Sequence, residues 1–235
     1  MRVQLPPSAR SKLKKTTIAI ISSLLLIKLT HCSHSEPPNT PEELYAEAMK
    51  KTEGGIFTAD LETAEEYFRK IIELFPTSKY VPKANFGIAY VKMKKGNYAE
   101  AGPLFEVFFQ RYRSHPQAPD ALYLAIKCYL EFVDTPDRDI TYAVKVRELS
   151  SIFIKNFPEN DKIKEVQNIK QRMLEIIAQH NLEIAEFYAR RKLFEPSIER
   201  INEILKDEEL SQTKFRRLAE ELKIRIQKQR QEMNM

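Results

Sequence analysis

Residues 85–105 read NFGIAYVKMKKGNYAEAGPLF, and their spacing narrows the folds open to this chain more than any other stretch. Gly87-x-x-Tyr90 is followed by Gly96-Asn97-Tyr98-x-x-Ala101-x-x-x-Phe105. The small residues let two antiparallel helices approach closely, and the aromatic rings fill the space between them. Such a pair cannot bury its apolar face alone, so it is stable only when stacked on similar pairs. Stacked helix pairs build binding surfaces far more often than active sites.

The rest of the chain extends the pattern. Only 5 Gly occur in 235 residues and none follows Gly102, while Glu, Lys, Leu, Ile and Ala abound, which reads as helix throughout. Leu44, Ala48 and Met49 form a stripe that ends at Gly54-Gly55. Leu61, Ala64, Phe68, Ile71, Ile72 and Phe75 form a second, ending at Pro76. Ala64-x-x-x-Phe68 with Pro76 has the residue types and spacing of a tetratricopeptide repeat (TPR). A further pair is expected over residues 118–132 and 139–157. Phe-Pro or His-Pro ends recur at 76, 116 and 158, intervals of 40 and 42 residues, longer than the roughly 34 of a standard repeat.

Asn97 and Glu100 read as a capping box, and Pro103 predicts a bend or a late start in its helix. Beyond Pro158, Asp161 is placed to cap a helix of roughly 30 residues, about 45 Å long. Its apolar positions are Ile163, Val166, Ile169, Met173, Ile176, His180, Ile184 and Phe187. Phe194-x-x-Ser197-x-x-x-Ile201 repeats the aromatic–small–bulky spacing, and a last helix from Ser211 aligns Phe215, Leu218, Leu222 and Ile226. The expected fold is all-α, a TPR-like right-handed superhelical solenoid of about nine helices in four to five repeats. It occupies residues 42–232.

The formal charge of +5 points to nucleic acid only until it is located. Residues 1–31 hold Arg2, Arg10, Lys12, Lys14, Lys15 and Lys28 and no acid, which leaves 32 basic against 33 acidic residues in the remainder. The electrostatic case for a nucleic-acid partner disappears with that segment. Its basic start and the apolar run at 18–27 suit a secretory signal peptide over 1–31, being too short to span a bilayer. Leu29-Thr30-His31-Cys32-Ser33 resembles a bacterial lipoprotein signal, in which Cys32 is acylated, for example by palmitate, and becomes the mature N-terminus. His31 stands where a small residue is usual, so secretion without lipid, or a retained anchor, stays open. Residues 32–41 read as a polar tether.

Catalytic signatures are missing: no Gly-rich phosphate loop, H-E-x-x-H, C-x-x-C or G-x-S-x-G occurs. His31-Cys32-x-His34 lacks the further ligands of a zinc site, so neither metal nor cofactor is expected, and no enzyme activity. Cys128 lies in an apolar pattern and reads as a packing residue. Glu65/Glu66 and Glu208/Glu209 read as solvated charges. Arg190-Arg191-Lys192 suits the C-terminal end of a helix, or a meeting point for an acidic partner or phospholipid head groups.

Residues 182–205, LEIAEFYARRKLFEPSIERINEIL, together with Cys32 and the lengthened repeats, resemble the BamD/YfiO family. This is the TPR lipoprotein subunit of the outer-membrane β-barrel assembly (BAM) machinery. The resemblance covers roughly residues 41–206. It implies a lipid-anchored protein on the periplasmic face of the outer membrane. The implied partners are a central β-barrel assembly subunit (BamA-like), accessory lipoproteins and unfolded outer-membrane proteins, for insertion into the membrane. Carried over by position, Tyr188, Arg191 and Arg200 would lie on the face that docks the central subunit; Tyr188 has the alternative of closing an inter-helix gap. The N-terminal repeats would form a substrate groove, with Tyr80, Phe86 and Tyr90 as candidates and core packing as their alternative. A different envelope TPR lipoprotein, pilotin-like or Tol-associated, is the competing reading.

Overall fold

The computed structural model describes residues 38–54, 59–133 and 139–233. The signal segment, Cys32 and most of the expected tether lie outside these residues, as do residues 55–58 and 134–138. The described residues form nine α-helices and no strand. They are α1 (Pro41–Glu53), α2 (Leu61–Leu74), α3 (Val81–Lys94), α4 (Tyr98–Arg111), α5 (Ala118–Leu130), α6 (Thr141–Asn156), α7 (Ile163–Arg190), α8 (Phe194–Lys206) and α9 (Phe215–Met233). Each helix packs on the next in sequence, and α9 lies against both α7 and α8. That is a TPR-like solenoid, closed at its C-terminal end by a single helix.

Local chemistry sets the boundaries. At α1, Glu43 N donates to Thr40 Oγ1 and Thr40 N to Glu43 Oε2, both at 3.2 Å, with Pro41 preset for the first turn. Thr63 N donates to Asp60 Oδ1 at 3.1 Å to start α2. Gly96, at φ 78, reverses the chain between α3 and α4 in a conformation only glycine adopts without strain. Lys192, at φ 60, makes the corresponding turn after α7 and carries that strain.

Gly87 shows why the helices approach so closely. A Cβ added there would lie 2.5 Å from the Phe68 ring, so the ring of α2 packs directly on the backbone of α3. Phe68 is fully buried, and with Leu44, Ala48, Ala64, Ile71, Ala84, Ile88 and Val91 it forms a small N-terminal core. A second, larger core runs from Ala89 through Phe105, Leu122, Phe153, Met173 and Ile201 to Ile226. Helix α3 belongs to both. Cys128 is buried as expected, and burial, with Glu131 nearby, pushes its thiol up to about 11.

Several local expectations need correction. Asn97 makes no side-chain cap; the Glu100 carboxylate is instead held by Lys92 Nζ at 2.9 Å. Helix α4 starts at Tyr98 despite Pro103, so its start is not delayed. Asp161 does not cap α7, whose cap position is Lys162; Lys162 N donates to Asn160 Oδ1 at 3.0 Å. The α7 stripe holds over its first half, where Val166 and Met173 are fully buried, and shifts beyond it, because α6 covers one part of this helix and α8 and α9 another. Leu174, Ile177, Ala178, Leu182 and Ala185 are buried, while Phe187 is 43% exposed. In α9 the core face is Ala219, Leu222 and Ile226, and Leu218 is exposed.

Glu66 and Glu208 are exposed as expected, but their neighbours Glu65 and Glu209 are not simply solvated. Glu65 is buried and meets Arg69 at 2.7 Å, Lys95 at 3.0 Å and Lys92 at 3.4 Å. Burial alone would raise its pKa, but hydrogen bonds from Arg69 and Lys95 and the two ammonium charges outweigh it and hold the carboxyl down to about 2. Glu209 joins Lys170 and Arg147, and Arg147 also grips Asp207 through two bonds of 2.9 and 2.8 Å. This network fastens the link between α8 and α9 onto α6 and α7.

Candidate functional site

Two surfaces hold most of the candidate residues, one towards each end of the stack. Near the N-terminal end a half-enclosed recess of about 210 Å³ opens across the first helices of three successive pairs. Helix α1 contributes Tyr45, Met49, Thr52 and Glu53, and α3 contributes Lys83, Phe86, Gly87 and Tyr90. Phe68 forms the floor, and Gln117, the residue preceding α5, closes one side.

Phe86 and Tyr90 stack with centroids 6.5 Å apart and planes 14° from parallel. Phe86 also meets Phe105 and Phe108 edge-on at 5.4 and 5.5 Å, so it anchors the larger core and lines the recess at once. Tyr80 sits elsewhere. It packs against Tyr45 at 5.4 Å in the N-terminal core and is not among the lining residues. Lys83 Nζ lies over the rings of Tyr45 and Tyr80, at 5.6 and 5.4 Å. Burial, with the Glu53 carboxylate and Tyr80 nearby, pushes the Tyr45 phenol above its ordinary range, so it stays protonated at neutral pH. Met49 and Thr52 follow Tyr45 by four and seven residues, a single helical face that was readable in sequence.

The second surface surrounds the end of α7. Tyr188 is half-buried, its ring edge-on to Phe187 at 5.7 Å, and its carbonyl accepts from Arg191 N and Leu193 N. The Arg191 guanidinium lies 4.4 Å above the exposed Phe187 ring. Arg200 is exposed on α8 and donates to Asn181 Oδ1 at 3.4 Å. Ser197, the small residue of its motif, is buried and donates to Ala185 O at 2.7 Å, drawing α8 onto α7. Among the described residues no side-chain hydrogen bond or ring contact joins Tyr188, Arg191 and Arg200 to one another; the one bond between them is the backbone turn from Arg191 N to Tyr188 O. They occupy successive levels, since Asn181 and Arg191 are separated by about 15 Å of helix. Sequence reasoning missed Phe187 as the platform under Arg191. It also missed Arg225 and Gln229 of α9, which face Glu186 and Arg190 across a cleft of about 330 Å³.

Among the described residues no cluster of His, Cys, Asp or Glu is arranged to hold a metal ion. No helix there is long and apolar enough to cross a membrane.

With both surfaces described, comparison with known proteins supplies the family. The family model YfiO, described as outer membrane lipoprotein, matches residues 37–235. The chain belongs to the YfiO family. Its curated relatives include the outer membrane protein assembly factor BamD of Pasteurella multocida, 28% identical over 77% of this chain and 71% of that protein. The protein of the same name from Haemophilus influenzae is 22% identical over 83% of this chain and 76% of its own length. The match takes in every helix and both surfaces.

Proposed function

We propose that this YfiO-family chain is an outer-membrane lipoprotein scaffold for β-barrel assembly, held at the periplasmic face by an acyl group on Cys32. Its C-terminal surface, with Tyr188, Arg191 and Arg200, docks folded periplasmic domains of a central barrel subunit. Its N-terminal recess, with Phe86 and Tyr90, takes unfolded segments of outer-membrane proteins. The family match over residues 37–235 carries the reading, because it spans the helices that build both surfaces. The surfaces fit these tasks physically. Arg and Tyr are favoured interface anchors, and helix-lined grooves take up extended peptides through a few apolar contacts. Tyr80 belongs to the support of the recess rather than to its lining.

Depleting the protein is expected to lower porin-type barrels in the outer membrane; unchanged barrels after full depletion would overturn the reading. Arg200→Glu is expected to reduce recovery of the central subunit in affinity purification at least tenfold, about 1.4 kcal/mol, with helicity unchanged. Undiminished recovery removes Arg200 from the docking surface. Cys32→Ser is expected to release the protein from the membrane fraction and abolish incorporation of a palmitate analogue.

A further inference from the structure

The charges of residues 32–235 nearly balance in number but are unevenly placed. Residues 186–195, at the end of α7 and the start of α8, and residues 222–231, in α9, hold seven basic side chains against two acidic. The remainder of 32–235 holds 25 basic against 31 acidic. The two basic segments meet at the cleft lined by Glu186, Ala189, Arg190, Arg225 and Gln229. We propose that this face of α7 and α9, with Arg190, Arg225 and Lys228, seats on the anionic phospholipid surface of the membrane and takes a lipid phosphate into the cleft. This rests on the reading of the chain as a membrane-held lipoprotein.

The two halves of α9 handle charge differently. Arg216 and Arg217 each take the glutamate four residues on, Glu220 at 3.0 Å and Glu221 at 3.5 Å. Arg225 has Gln229 in that position, and Glu221, four residues before it, is already engaged. Neither Arg225 nor Lys228 has an ion pair or side-chain hydrogen bond among the described residues. Arg225 also lies two turns before the end of α9, too far inside for the helix dipole to account for it. Across the cleft, Arg190 reaches only Glu186, at 3.6 Å and with its side chain 69% exposed, a contact that water screens. Two guanidinium groups thus share one cleft with one weakly held carboxylate, and a bound anion removes their repulsion. All three cations are exposed, so a head group can reach them. Arg191, stacked on Phe187, does not line this cleft and stays with the docking surface.

The surroundings favour a lipid surface over an acidic protein. Protein interfaces are depleted of lysine and enriched in aromatic rings. Residues 222–231 contain no ring and consist only of Lys, Arg, Gln, Ile and one Leu. Ile224 stands beside Arg225 and four residues before Lys228, and it is 67% exposed. An apolar side chain set among cations on an outer helix face is the pattern of helices that lie in a membrane interface. A lipid surface asks for no matching shape: each Lys or Arg brought near it strengthens binding roughly fivefold. The matched family is described as outer membrane lipoprotein, which supplies the surface. A chain held only through Cys32 is free to turn, and this second contact fixes which face meets the membrane.

The test uses the full chain with an environment-sensitive fluorescent amino acid at Gln231, an exposed position about one turn beyond Lys228. Vesicles are neutral phosphatidylcholine, or the same lipid with about one third phosphatidylglycerol, both carrying a head-group spin label that quenches on contact. Strong quenching is expected on the anionic vesicles and none on the neutral ones. Arg225→Glu with Lys228→Glu, helicity checked by circular dichroism, is expected to weaken the anionic interaction about twentyfold or more, two charges at roughly fivefold each. Raising salt to about 0.5 M, where the Debye length is about 4 Å, is expected to do the same without any substitution. A label unquenched on anionic vesicles overturns the inference, as does equal quenching on both lipids or quenching that the double substitution leaves intact. A label shielded only by protein in native membranes assigns the face to an acidic partner and overturns it too. Co-flotation with neutral vesicles reads the anchor separately: a chain that stays in solution there loses the anchored reading, while quenching on anionic vesicles still decides the face.

Discussion

The recess and the α7–α8 edge are built from the same kind of helix pair yet present opposite kinds of surface. At the recess, rings from two cores converge around about 210 Å³, and the backbone N–H of Gln117 at its side is tied to His115 Nδ1. At the edge, the main features stand outward: an exposed Phe187, a guanidinium stacked on it, and Arg200 held by one long bond to Asn181. Enclosure suits a ligand that brings no structure of its own, because the walls supply the shape. Outward arginines and rings suit a partner that already has a surface to match. The difference lies in where the aromatic side chains go, inward from α1 and α3 and outward from the end of α7.

The sharpest way to break the comparison is to destroy one surface and ask whether the other survives. Phe68→Ala removes the floor of the recess from a fully buried position, at a cost of about 3–5 kcal/mol to the N-terminal core. In a stack of repeats such damage stays near its origin. Amide exchange in α1 and α2 is expected to accelerate while α7 and α8 stay protected and partner recovery persists. Acceleration throughout α7 and α8 would mean that the two ends are one cooperative unit.

A second measurement separates the ends by acid. Burial favours protonating Asp207 and Glu209, but backbone N–H groups, Arg147 and Lys170 overcome it and hold both carboxyls below their ordinary range. Folding therefore releases protons there. The stability they contribute is complete above about pH 4.5 and is lost as pH falls through their lowered folded values. Glu65 is held to about 2, so the N-terminal network is expected to stay ionised well below pH 4. Carboxyl NMR signals followed during an acid titration check the order. Arg147→Ala is expected to cost about 1–3 kcal/mol and to raise the titration points of Asp207 and Glu209 together. The smallest effect is Lys192→Gly, which relieves the left-handed turn after α7 and is expected to stabilise by about 1 kcal/mol in thermal melts, with partner recovery intact.

Much of the scaffold was legible because its signals are local. Helix punctuation by Gly and Pro, the Gly87 approach and the Ser197 spacing all depend on residues near one another in the chain. The capping positions at Asn97 and Asp161 were misread because Glu100 and Asp161 have lysine neighbours that periodicity does not register; Lys162 Nζ lies 3.5 Å from Asp161. Phe187 looked like core because α7 was treated as having one buried face, whereas it meets different neighbours along its length. Phe86 and Tyr90 could be nominated for the recess, but Gln117 could not. It joins the lining only once α1, α3 and α5 are brought together, and no spacing rule encodes that.

Helix α3 belongs to both cores, and this has a consequence for how the chain tolerates loss of its first pair. Ala84, Ile88 and Val91 face α1 and α2, while Ala89 faces the larger core. A chain cut between α2 and α3 would keep a folded body but leave that apolar stripe open at its end. Two such ends match one another, so the shortened protein is expected to pair end to end or aggregate. The first pair thus acts as the stopper of the stack as well as one wall of its recess.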